Sequence, residues 1–203
     1  MSMHRNTRTR TALLFCLAAA LLPQVALAHP GDHAGGFAAG LAHPLTGADH
    51  VLAMLAVGMW SAQLGMASAW ALPVGFLLTM ALGGALAIAG VALPGGELGI
   101  ALSVVFLGAM IARDRRLTMS IAMPVAVAFA LLHGHAHAVA LPAHADPLAY
   151  GIGVLFATAL LQLAGIGAGR VAAIPGGVPL LRASGAAIAI AGLYVSVHVL
   201  RFV

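Results

Sequence analysis

His43-Pro44-Leu45-Thr46-Gly47-Ala48-Asp49-His50 opens without a break into the apolar run Val51-Leu52-Ala53-Met54-Leu55-Ala56-Val57-Gly58-Met59-Trp60. That run continues to Leu64, which is the pattern of a membrane helix. Two imidazoles and a carboxylate stand at its mouth. Ionisable groups in such a place are costly to keep, so their default meaning is a functional site. Pro44 disfavours a continuous helix through His43, and Gly47 permits a bend. A break lets His43 fold back toward Asp49 and His50.

Composition extends the membrane reading to the whole chain. Of 203 residues, 62% are hydrophobic and 7% charged, and the mean hydropathy is +1.06. A soluble domain carries about a quarter charged residues. Backbone groups in lipid must be satisfied within their own segment, and the alternating polarity of a transmembrane barrel is absent. The expectation is an all-α integral membrane protein, one helical bundle. The pI of about 10.7 is no nucleic-acid signature, because there is no lysine and the nine arginines are scattered. The only cysteine is Cys16, which falls in the leader described next. The mature chain then has no thiol, which excludes disulfides, iron–sulfur clusters and thiolate metal sites. Any metal must be held by imidazole and oxygen, and there are ten histidines.

Residues 1–28 read as a cleaved signal peptide. Arg5, Arg8 and Arg10 precede an apolar core, and Ala26-Leu27-Ala28 is a small-x-small cleavage site. Residues 29–45 form a periplasmic, histidine-containing segment that begins His29-Pro30-Gly31-Asp32-His33. His29 and His33 are candidate metal-collecting residues. Gly35 to Leu41 is too short to span, and reads as a re-entrant piece or the outer part of a broken first helix. Residues 46–203 form the transmembrane domain. Its spans are expected at about 46–65, 69–92, 98–112, 117–141, 147–168 and 183–203. Six spans after a cleaved leader put Arg113, Arg115, Arg116, Arg170 and Arg182 in the cytoplasm, with Arg201 outside, as the positive-inside rule requires. The histidines after the leader then all lie in or near the outer half. Small residues along the spans, among them Gly83, Gly84, Gly151, Gly153, Gly165, Gly167 and Gly169, are packing positions.

Two constellations carry chemistry. In the first, His43, Asp49 and His50 can share a borderline divalent cation, since imidazole and carboxylate suit first-row metals. Asp49 is equally suited to orienting one imidazole from behind, or to satisfying N–H groups at a helix start. The second is His133-Gly134-His135-Ala136-His137. His133 and His137 lie one helical turn apart on one face and can share a cation. His135 points away. No glutamate follows the first histidine, so this is not a metalloprotease signature. Glu97, opening the third span, is either a ligand or an ordinary first-turn charge. The residues alone therefore reach a divalent transition-metal site opening outward in a helical membrane protein.

The run from His43 to His50, with Leu52-Ala53-Met54 and Gly58 behind it, closely resembles the first signature of the HupE/UreJ family. The leader, the mature start His-Pro-Gly and about six spans are similar to that family too. Its second signature, His-Gly-x-Ala-His-Gly-x-Glu, is matched at His133, Gly134, Ala136 and His137. Ala138 and Ala140 stand where the family has glycine and glutamate. His135 and Glu97 are the residues that can stand in for the missing carboxylate. The resemblance implies a permease, not an enzyme. It would carry Ni2+ or Co2+ across the bacterial inner membrane for hydrogenase or urease maturation, with the metal as cargo and no permanent cofactor. Two other classes stay open on the residues. An intramembrane metal enzyme would need a general base, for which only Asp49 and Glu97 are available. A metal-binding accessory protein would bind without transporting.

Overall fold

The computed structural model describes residues 36–65 and 67–201. The leader with Cys16 and the segment with His29, Asp32 and His33 lie outside the described residues. Within them the chain forms α1 (Gly36–Thr46), α2 (Ala48–Leu64), α3 (Ser68–Ile88), α4 (Gly96–Ala112), α5 (Met119–Val139), α6 (Pro147–Gly169) and α7 (Gly177–Val199). A 3-10 turn, Arg170–Ala173, follows α6. No strand occurs among the described residues, as the absence of alternating polarity requires. Four helices are long and apolar enough to cross a membrane: α3, α5, α6 with its extension to Ala173, and α7. The apolar α4 and the central α2 have 17 residues each, at the short end of what a bilayer needs.

The axis of the bundle is α2. From Val51 to Ser61 every side chain except Leu55 is buried. By contrast α3 and α7 turn Leu78, Leu82, Ile190, Leu193 and Val197 outward. Helices that are apolar all round but covered on one side only suit hydrocarbon as the solvent. Lipid gives little hydrophobic drive for helices to associate, so close backbone approach must hold them. Gly58 on α2 lies against the Gln162 carbonyl of α6, and Gly165 of α6 lies against the Leu55 carbonyl. Gly134 of α5 meets the Met80 carbonyl of α3 in the same way, and Gly108 and Gly185 join α4 to α7. A side chain at any of these positions would strike backbone. Gly83, Gly153 and Gly169 are packing positions as expected, but Gly151 and Gly167 face open space.

The break in the first segment falls at Gly47 (φ −98°, ψ 116°), where the sequence allowed a bend, while the helix runs on through His43 and Pro44 against expectation. Pro44 is accommodated near the end of α1, where its missing N–H removes a single intrahelical bond. The last helix starts at Gly177 rather than 183. Pro179 sits in its first turn, where no N–H is needed, and Gly176 takes the left-handed conformation (φ 74°) that redirects the chain. Pro73 and Pro124 lie inside α3 and α5.

The arginine-bearing end is stitched by side chains. Trp60 Nε1 donates to the Arg115 carbonyl (3.3 Å) and Gln63 Nε2 to the Ile111 carbonyl (3.3 Å). Arg182 Nε donates to the Ala112 carbonyl (2.9 Å). These bonds join the C-terminal ends of α2 and α4 to the start of α7. The opposite end gathers the start of α2, the end of α5 and the start of α6, and it carries the histidines.

Candidate metal site

At that end four imidazoles come together from three helices. The ring centres of His50 and His137 are 4.6 Å apart, those of His43 and His137 5.1 Å, His50 and His133 5.7 Å, and His43 and His50 6.3 Å. A metal–imidazole bond of about 2.0–2.1 Å puts a ring centre roughly 3 Å from the ion, so two rings on one ion stand roughly 4.5–6 Å apart. Three of the four spacings fall in that range, and His43–His50 lies just beyond it. Among the described residues, however, no group of three or more histidine, aspartate or glutamate side chains is arranged to hold a metal ion as it stands. The rings are gathered without forming a closed ligand set.

Each ring reaches the cluster for a local reason. The break at Gly47 turns α1 back, so that His43 meets residues that an unbroken helix would carry about 10 Å further along. Gly47 is needed for space rather than for conformation: a Cβ there would stand 2.8 Å from both Asp49 Oδ1 and His50 Nδ1. Asp49 Oδ1 accepts the His50 backbone N–H (2.9 Å) and lies 2.9 Å from His50 Nδ1. The carboxylate can only accept, so Nδ1 of His50 carries the proton and Nε2 keeps its lone pair. Asp49 thus both orients an imidazole and helps start α2.

His133 is arranged in the same way. Its Nδ1 donates to the Phe129 carbonyl (2.9 Å), which leaves Nε2 as the lone-pair nitrogen. That Nε2 is buried and has no hydrogen-bond partner. His137, one turn on, is 3% exposed, and neither of its ring nitrogens has a partner. Unpartnered buried polar atoms are rare and call for an explanation such as a bound ion. Backbone or carboxylate partners behind a ligating imidazole are the usual supports of a metal site.

The remaining candidates fall elsewhere. His135 turns away, and its Nε2 pairs with the Val91 carbonyl at 2.9 Å, tying α5 to the end of α3. Glu97 is exposed on the first turn of α4. Ala140 caps α5 and is exposed. His144 is exposed, and Asp146 caps α6 by accepting from the Ala149 amide (2.7 Å). His198 stacks on Tyr194.

Sequence reasoning missed Tyr150. Its ring centre is 5.9 Å from that of His43, it is 3% exposed, and its hydroxyl has no partner. It lies with His137 in the wall of an otherwise apolar cavity of about 360 Å³ between α3, α5 and α6. The available signal was that Tyr150, Thr158 and Gln162 are the polar side chains inside the apolar run of α6.

The comparisons with known proteins identify the family. A family model described as "HupE / UreJ protein" matches residues 17–195. The chain belongs to the HupE/UreJ family. It is also 43% identical over 176 residues to "Protein HupE" of Rhizobium leguminosarum bv. viciae, covering 87% of this chain and 92% of that relative. No solved structure matches it. Both HupE/UreJ signatures, near His43–His50 and His133–His137, supply rings to the one cluster.

Proposed function

We propose that this HupE/UreJ protein is a six-span permease of the bacterial inner membrane that admits Ni2+, with Co2+ as the nearest competitor, from the periplasm. The observation that carries the reading is the set of four gathered imidazoles. Two of them, His50 and His133, are oriented from behind, and His137 has both nitrogens unpartnered. Neutral imidazoles suit nickel, copper, zinc and iron alike, and the family favours nickel within that set. In this reading the leader is cleaved after Ala28, and His29 and His33 collect the ion. His43, His50, His133 and His137 then bind it at the outer mouth, with Asp49 behind His50. The membrane potential drives the cation inward, worth about 2.3 kcal/mol per charge per 100 mV.

The test is radiolabelled nickel uptake by cells expressing the wild type, His50→Ala or His137→Ala. Uptake should fall to background in both variants at equal membrane abundance. Undiminished uptake in both would refute the site. Nickel binding by the purified protein without any uptake would turn the reading to an accessory metal-binding protein.

A further inference from the structure

The buried serine hydroxyls of this bundle follow one habit. Ser61, Ser103 and Ser196 each return a hydrogen bond to a carbonyl of their own helix, at 2.8, 2.6 and 2.8 Å. That back-bonding is how a hydroxyl is satisfied in an apolar helix. Thr158 of α6 is 0% exposed, and its Oγ1 has no partner. One turn further along the same face, Gln162 is 1% exposed, and its Oε1 also has no partner. Among the described residues the amide makes one hydrogen bond, from Nε2 to the sulfur of Met54 on α2, at 3.9 Å, and Met54 is 0% exposed. Gln162 and Met54 thus touch across the α2–α6 interface, and Thr158 lies one turn from Gln162 on α6, with Thr158 Oγ1 and Gln162 Oε1 both lacking a hydrogen-bond partner among the described residues. Unsatisfied polar atoms in a water-free interior cost several kcal/mol each.

Their position along α2 gives them a use. Met54 lies one turn inward of His50, a step of about 6 Å. Further along α2, Gln63 stands at the arginine-bearing end with its own Oε1 unpartnered. Along this helix the His50 imidazole stands at the outer mouth, the Met54 thioether one turn further in, and the unpartnered Gln63 Oε1 at the arginine-bearing end.

We propose that Met54 Sδ, Thr158 Oγ1 and Gln162 Oε1 form a second cation station, which receives a partly dehydrated, borderline-soft divalent ion from the imidazole cluster. The inference rests on the permease reading. A thioether, a hydroxyl and an amide oxygen are weaker donors to a first-row dication than imidazole nitrogen. Such a set holds the ion more weakly than the imidazoles, and conduction needs sites that bind well enough to enter and weakly enough to leave.

The experiment uses purified full-length protein, with Ni2+ binding measured in detergent and Ni2+ flux measured in proteoliposomes. Gln162→Leu and the double variant Met54→Leu/Thr158→Val should bind Ni2+ within twofold of the wild type and lose tenfold or more of the flux. Gln162→Glu should slow Ni2+ release while lowering flux, since a carboxylate grips what an amide hands on. A merely structural role would not produce that slow release. Flux within twofold of wild type in both leucine-bearing variants overturns the station. Joint loss of binding and flux in both also overturns it, by assigning these residues to folding. The two readings fail separately. If His50→Ala abolishes flux and Gln162→Leu does not, only the station falls. If His50→Ala leaves flux intact, the permease site itself falls.

Discussion

Asp49→Asn isolates the role of the carboxylate behind His50. The substitution keeps size and shape and leaves an oxygen able to accept from Nδ1, but it removes the charge. A charge-assisted hydrogen bond is roughly twice as strong as a neutral one, and replacing such an orienting partner typically costs 10–100-fold in metal affinity. The Asp49 and His50 side chains retain 26% and 17% of their exposure, so water screens part of the interaction. The lower end of the range follows, about tenfold, or roughly 1.4 kcal/mol. Calorimetric titration of Ni2+ into the purified protein measures this directly. The affinities should rank wild type, then Asp49→Asn, then His50→Ala. An Asp49→Asn affinity within twofold of wild type would mean that the 2.9 Å contact does not support a ligand. An Asp49→Asn as damaged as His50→Ala would instead make Asp49 a ligand itself.

Three further outcomes follow from packing and from the departures in the second signature. Gly134→Ala drives a methyl into the Met80 carbonyl and should destabilise the protein by about 1–3 kcal/mol, while Gly151→Ala, facing open space, should not; melting in detergent separates them. Tyr150→Phe removes a buried hydroxyl without a partner and should raise the melting temperature of the metal-free protein, by about 1 kcal/mol of stability. Ala140→Glu returns a carboxylate three residues beyond His137 and should tighten Ni2+ binding about tenfold; an unchanged titration would place that position out of reach of the ion.

Much of this was legible in the sequence because membrane solvent imposes strong rules. Long apolar runs had to be helices, and the end of α4 followed from Arg113–Arg116. The two histidine motifs were recognisable singly, and the i, i+4 spacing of His133 and His137 put both on one face. Sequence could not show that His135 serves α3 through Val91, because that depends on how α5 is rotated. Nor could it show that Gly151 and Gly167 face outward while Gly153 and Gly165 pack, since glycine itself carries no facing signal. The start of α7 was misplaced because Gly177, Pro179 and Arg182 look like a loop. Pro179 is tolerated in a first turn, and Arg182 finds the Ala112 carbonyl. Tyr150, Thr158 and Gln162 were overlooked for the opposite reason. Each is ordinary in a helix, and only the absence of partners marks it.

The central claim is that ions captured by the imidazole cluster cross the membrane. Its most direct test is Ni2+ entry into proteoliposomes that contain only this protein, followed with a nickel-sensitive dye trapped inside. The account predicts saturable entry, accelerated by an inside-negative potential and abolished by His137→Ala. Tight Ni2+ binding with no entry above that of protein-free vesicles at any potential would contradict it.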